Sequence, residues 1–219
     1  MRKLLLLAIL ICCLSSANAQ ERWGFSFTPA VVQSPRLHYG LQVGAEYRFS
    51  DRLSFLTEIT KSVGNHSDSS TRNSSYFRIK PEVRYELPET RRGHRRYIGL
   101  QLSYTHRKWK DINGGCYFGD TVKDSSINFQ TASISSPILT ASIQYGKLMP
   151  ITDNLFIDVF MGFGVRTVFT RYSDLVNISK TQYNRAVCKI VPVSDPAFWT
   201  DGTATRFHTN FGVRLLYRL

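Results

Sequence analysis

The chain has 219 residues, with 28 basic against 16 acidic side chains and a net charge of +12. At 42% hydrophobic and 20% charged residues it is no disordered polymer. Its mean hydropathy of −0.20 excludes a polytopic helical membrane protein. It does not exclude a membrane β-barrel, whose strands alternate apolar and polar residues.

The first nineteen residues stand apart. Arg2 and Lys3 precede an unbroken apolar run from Leu4 to Leu14, and Ser15 to Ala19 then supply small residues, with Ala17 and Ala19 in an A-x-A arrangement. Eleven apolar residues cannot span a ~30 Å hydrocarbon core as a helix. The segment reads as a signal peptide (1–19) cleaved near Ala19, leaving a domain over 20–219. Cys12 and Cys13 lack the small preceding residue of a lipoprotein signal, since Ile11 and Cys12 stand there. An export signal argues against nucleic acid as the partner of the basic chain.

From there the dominant signal is a period of two. Trp23, Phe25 and Phe27 oppose Gly24, Ser26 and Thr28. Over 37–49 every odd position is apolar or aromatic, from Leu37 through Val43 to Phe49, and none of the intervening even positions is a large apolar residue. The segment 53–63 alternates more weakly, with Leu53, Phe55 and Ile59 on one side. Phe77, Ile79, Pro81, Val83, Tyr85 and Leu87 face away from Arg78, Lys80, Glu82, Arg84 and Glu86. Ile98, Leu100, Leu102 and Tyr104 form the next apolar face, and Leu139, Ala141, Ile143 and Tyr145 the one after. Leu155 to Val165 and Phe207 to Leu219 repeat the pattern. The spacing predicts eight strands, 23–33, 37–49, 53–63, 76–87, 97–109, 138–149, 155–171 and 205–219. They are long for a soluble protein and suit a transmembrane strand of about nine to eleven residues.

The connections alternate in length, and only 34–36 breaks the trend. Residues 50–52, 88–96 and 150–154 are short, whereas 64–75, 110–137 and 172–204 are long and read as loops. Short periplasmic turns and long outer loops are the habit of outer-membrane barrels. The fold class expected is therefore all-β, an eight-stranded antiparallel up-and-down transmembrane β-barrel with both termini in the periplasm.

On those residues the chain resembles the small outer-membrane β-barrel proteins of Gram-negative bacteria, of the type widespread in Bacteroidetes. The resemblance covers 20–219. Its most specific part is the ending Phe211-Gly212-Val213-Arg214-Leu215-Leu216-Tyr217-Arg218-Leu219, similar to the last strand that barrel-assembly machinery reads, although the family more often ends in Phe. The resemblance implies location in the outer membrane, contact with outer-membrane lipids and lipopolysaccharide, and no particular activity.

The faces expected to point inward carry a mixed charge network, Glu46, Arg48, Glu82, Arg84, Asp158, Arg166 and Arg214, together with Glu58, Arg78, Lys80 and Arg218. Charges inside so narrow a barrel must be paired. A salt-bridged plug is the first reading and a narrow, porin-like channel the second. A lipid-modifying enzyme ranks lower. His208 is followed by Thr209 and Asn210, with no Ser two residues on to share its face. The five histidines are scattered, so no catalytic, metal or cofactor site is expected. The function read from this is structural, adhesive or surface-interacting, through loops 110–137 and 172–204 and toward an unnamed extracellular ligand. Cys116 and Cys188 fall in those two loops, in an oxidising compartment, and are expected to form a disulfide.

Overall fold

The computed structural model describes residues 22–33, 38–63, 74–88, 94–118, 125–182 and 202–219. Ten strands appear among them: β1 (Trp23–Gln33), β2 (His38–Arg48), β3 (Leu53–Val63), β4 (Ser74–Leu87), β5 (Arg95–Phe118), β6 (Ser125–Ser135), β7 (Ile138–Pro150), β8 (Leu155–Val176), β9 (Ser179–Gln182) and β10 (Gly202–Arg218). All described pairings are antiparallel. Eight strands close a ring in the order β1-β2-β3-β4-β5-β7-β8-β10, and β10 returns to β1 with Phe25 opposite Tyr217. No helix among the described residues is long and apolar enough to cross a membrane.

The stagger of the ring follows from the register. A walk across the pairings from Gly24 passes Glu46, Leu56, Glu82, Gln101, Ser142, Gly164 and His208. Extending the β10–β1 register from His208 returns to position 34, ten residues along. Such a stagger over eight strands requires a tilt within ~35–45° and leaves an interior just wide enough for side chains.

Polarity is inverted relative to a soluble sandwich. Large apolar residues face outward and are exposed, among them Val43, Leu100, Ile143, Phe163 and Phe211, the last 90% exposed. Glu46, Glu58, Arg84, Asp158 and Arg214 are buried inside. Aromatics mark both rims of the apolar wall. Trp23, Tyr47, Tyr85 and Tyr217 ring the end that carries the short connections, with Trp23 and Tyr47 edge-to-face at 5.0 Å. Phe77, Tyr104 and Phe207 mark the other. Eight to ten residues separate the two belts along β4 and β10, which projects to roughly 20–25 Å and matches a hydrocarbon band ~25 Å tall.

The eight expected strands are the eight of the ring, with ends within a few residues except where they run on. The segments 110–137 and 172–204 are not simply loops. β5 continues to Phe118, and β6 pairs with it in the same register that β7 uses lower down, since Lys108 opposes Ser135 and Thr105 opposes Ile138. β6 and β7 are thus one strand interrupted at Ser136-Pro137. The break loses little pairing, because Ser136 N–H donates to Arg107 O and Phe169 N–H to Pro137 O, both at 2.9 Å. β8 likewise runs past β10, and β9 takes over its place beside β6. Asp174 and Asn177, both left-handed at φ near 50°, make that handover; such short polar residues tolerate this region best after glycine. The result is a three-stranded ribbon rising from one side of the barrel. It has its own apolar centre of Trp109, Phe129, Ala132, Ile134 and Tyr172.

The proposed signal peptide, 1–19, lies outside the described residues.

Candidate functional site in the barrel lumen

The interior is built by parity. On each strand the residues between the lipid-facing ones must point inward, and the sequence puts charges, amides and glycines there. Because the strands are staggered, these residues fall into tiers.

The tiers nearest the short connections hold the charge network. Arg214 on β10 binds Asp158 on β8 at 2.7 Å, Glu58 on β3 at 2.7 Å and Glu82 on β4 at 3.3 Å. Arg84 on β4 binds its neighbour Glu82 at 2.9 Å, Asp158 at 3.2 Å and Glu46 at 3.7 Å. Arg218 reaches Glu46 at 2.8 Å and also binds Glu86. Lys80 pairs with Glu58 at 3.0 Å. Four cations therefore meet five carboxylates in the described ion pairs. Tyr97 donates its hydroxyl proton to Asp158 and accepts a hydrogen bond from Arg214. Ser54 donates to Glu46 and Ser26 to Glu58. Leaving any of these carboxylates without partners would be costly.

Strand order gives these bonds their meaning. β10 and β4 lie four places apart in a ring of eight, on opposite walls. The Arg214–Glu82 and Arg218–Glu86 pairs therefore cross the lumen from wall to wall. Aromatic rings fill the remaining width. The Arg84 guanidinium lies 4.5 Å from the Tyr97 ring centroid, and that of Arg214 lies 4.2 Å from the Phe160 centroid. Tyr97, Leu148, Phe156, Phe160 and Leu216 form a buried apolar cluster beside the ion pairs. Two glycines make this packing possible. A Cβ on Gly146 would stand 2.2 Å from the Tyr97 ring, and one on Gly212 would stand 2.5 Å from that of Phe160.

Above this plug is a tier of amides and hydroxyls. Thr60 donates to Gln42, Gln101 donates to Glu82, and Asn210 donates to Gln101. Beyond it, toward the ribbon, the inward positions carry Arg78, Arg166 and His208.

Of the sequence-expected network, Glu46, Glu82, Arg84, Asp158 and Arg214 come together in one cluster. Arg48 is half-buried at its lower edge. Arg166 does not join it: eight residues beyond Asp158 on β8, it stands roughly 27 Å along the strand, at the other end of the lumen. Glu86 was expected on this face but not in the network. The inward aromatics Tyr97, Phe156 and Phe160 were missed, although their parity on β5 and β8 was the available signal. Cys116 lies in β5 with its backbone opposite Asn128, whereas Cys188 lies outside the described residues, and so does the expected disulfide.

Ring closure and inverted polarity define the class, an eight-stranded antiparallel barrel of the membrane type. No protein-family model and no curated protein matches the chain. Among solved structures it is similar to Neisserial surface protein A, with 13% identity over 90% of this chain and 95% of that one, at a TM-score of 0.41. It is also similar to a major outer membrane protein from Thermus thermophilus, with 12% identity over 90% of this chain and 99% of that one, at a TM-score of 0.44.

Proposed function

We propose that the chain is an integral outer-membrane protein of Gram-negative type that acts without catalysis. In this reading the barrel is a closed anchor, and the ribbon of β5, β6, β8 and β9 presents a surface outside the cell. The observation that carries it is the set of ion pairs crossing the lumen between β10 and β4, which weighs against a channel. The apolar wall between two aromatic belts supports a bilayer location. The short connections at the Trp23 end support placing that end in the periplasm. His208 faces Gly164 across the β10–β8 pair, which gives a histidine-activated nucleophile no support there. The Bacteroidetes type rests on the resemblance of the signal peptide, the eight alternating strands and the final strand, the last being the segment through which assembly machinery would recognise the chain.

The experiment is a fractionation with surface labelling. A tag inserted in the connection 119–124 should be accessible on intact cells, and the extracted protein should migrate differently before and after boiling. Recovery as a soluble periplasmic monomer, or a tag reached only after lysis, contradicts the proposal.

A further inference from the structure

The outer wall carries a feature that a barrel merely solvated by fluid lipid does not need. A groove of about 400 Å³ runs over β4, β5, β7 and β8, lined among others by Ile79, Pro81, Leu102, Tyr104, Ala141 and Val165. These six are lipid-facing positions. The depression arises because Pro81 and Ala141 are slighter than the Leu, Ile and Phe that cover the wall elsewhere. Its size falls within the ~300–1,000 Å³ of ordinary ligand sites. Tyr104, in the aromatic belt at the ribbon end, also lines it, so the groove occupies the half of the bilayer nearest the ribbon.

A second observation is independent of the groove. Directly above it the same face becomes cationic. His106 and Lys108 follow Tyr104 on β5 at two-residue steps, and both are exposed. Lys108 opposes Ser135, and Ser135 opposes Arg171 on β8. Lys108 and Arg171 thus flank one hydroxyl in a single register row, about 10 Å apart across two strand spacings. On β10 the outward positions at this height are Thr203, Thr205 and Phe207, with the exposed Arg206 between them opposite Arg166, and on β3 Lys61 is exposed at the same end. Along the chain, Asp111 follows Lys108 and Asp174 follows Arg171, each by three residues.

We infer that this wall binds a phosphorylated, polyacylated glycolipid of the lipid A type, one acyl chain lying in the groove and a phosphate held by Lys108, Ser135 and Arg171. The inference rests on the outer-membrane reading, which places this end among such lipids. Charge complementarity selects the occupant. An apolar groove alone would suit any acyl chain, and cations alone any anionic surface, but the two stacked on one strand face fit a molecule with phosphate directly above packed chains.

The test uses the full mature protein in non-ionic detergent, with bisphosphorylated lipid A, dephosphorylated lipid A and phosphatidylglycerol as probes and retained lipid read by native mass spectrometry. The inference expects bisphosphorylated lipid A to be retained at least about tenfold over either other lipid. Combining Lys108→Gln with Arg171→Gln should cut retention roughly thirtyfold, as expected for two basic residues near an anionic headgroup. Ala141→Trp, which fills the groove, should also reduce it, while Val43→Trp on the opposite wall should not. Heat-dependent migration checks that each variant is folded. Equal retention of phosphatidylglycerol, or insensitivity to both the charge and the groove variants, overturns the inference. Fractionation of the protein away from the outer membrane would instead defeat the reading beneath it, and the detergent assay does not depend on that result.

Discussion

Arg214 shows how a single side chain can close a barrel. It is fully buried, and its guanidinium contacts carboxylates from three other strands. Replacing it with methionine keeps the bulk but strands Asp158, Glu58 and Glu82 around a lost charge. Breaking a buried pair from one side costs about 3–5 kcal/mol. Urea unfolding in lipid vesicles should show a loss of that size for Arg214→Met; a change under about 1 kcal/mol would mean the pairs contribute little. Its neighbour tests the opposite face. Val213 is 55% exposed near the middle of the apolar band, so Val213→Arg should cost roughly 2–4 kcal/mol or block insertion. Unimpaired insertion of Val213→Arg would show that the two faces are misassigned. At this scale the sequence was legible wherever charge and parity agreed, as at Glu46, Arg84 and Arg214. Parity also puts Tyr97, Phe156 and Phe160 inward, but nothing in their local sequence tells that such rings lie against charges. Only the tiering of the interior, set by the stagger of distant strands, decides that these rings face charges.

The ring strands were readable because each keeps one face in an apolar environment along the ring, so alternation persists, strictly over 37–49 and more weakly over 53–63. The ribbon was not, for two physical reasons. Bulges between Trp109 and Ile112, and between Thr131 and Ser133, shift the parity and erase the period of two. Beyond the bilayer there is also no requirement for an apolar outer face, and Ala132, Ser133 and Ile134 are buried in succession. The ribbon's order then depends on its small apolar centre. Trp109→Ala removes the largest side chain there, where such truncations cost about 3–5 kcal/mol. Limited proteolysis of the vesicle-inserted protein should cut this variant within 110–135 faster than wild type, leaving the embedded strands protected. Unchanged cleavage would show that the cluster does not hold the ribbon. A Cys116–Cys188 disulfide would add to that order, by roughly 4 kcal/mol for a loop of about seventy residues. Thiol titration of the mature, non-reduced protein should find none free, and two free thiols would refute the bridge.

For the whole molecule, eight strands, a ten-residue stagger and a filled interior are one geometric fact. A wider ring would leave ion pairs unable to reach across, and a narrower one would expel them. In this ring the lumen is spanned at Arg214–Glu82 and Arg218–Glu86, and packed by the Tyr97 and Phe160 rings. In the proposed reading the barrel is an anchor, and its exposed work falls to the ribbon and the outer wall. Conductance across a planar bilayer tests this most directly. The wild-type protein, inserted and folded, should show no steady pore, only the baseline of the lipid. A stable, charge-selective conductance in the wild type, abolished by Arg214→Ala or Arg166→Ala, would contradict the sealed lumen and the anchoring role that follows from it.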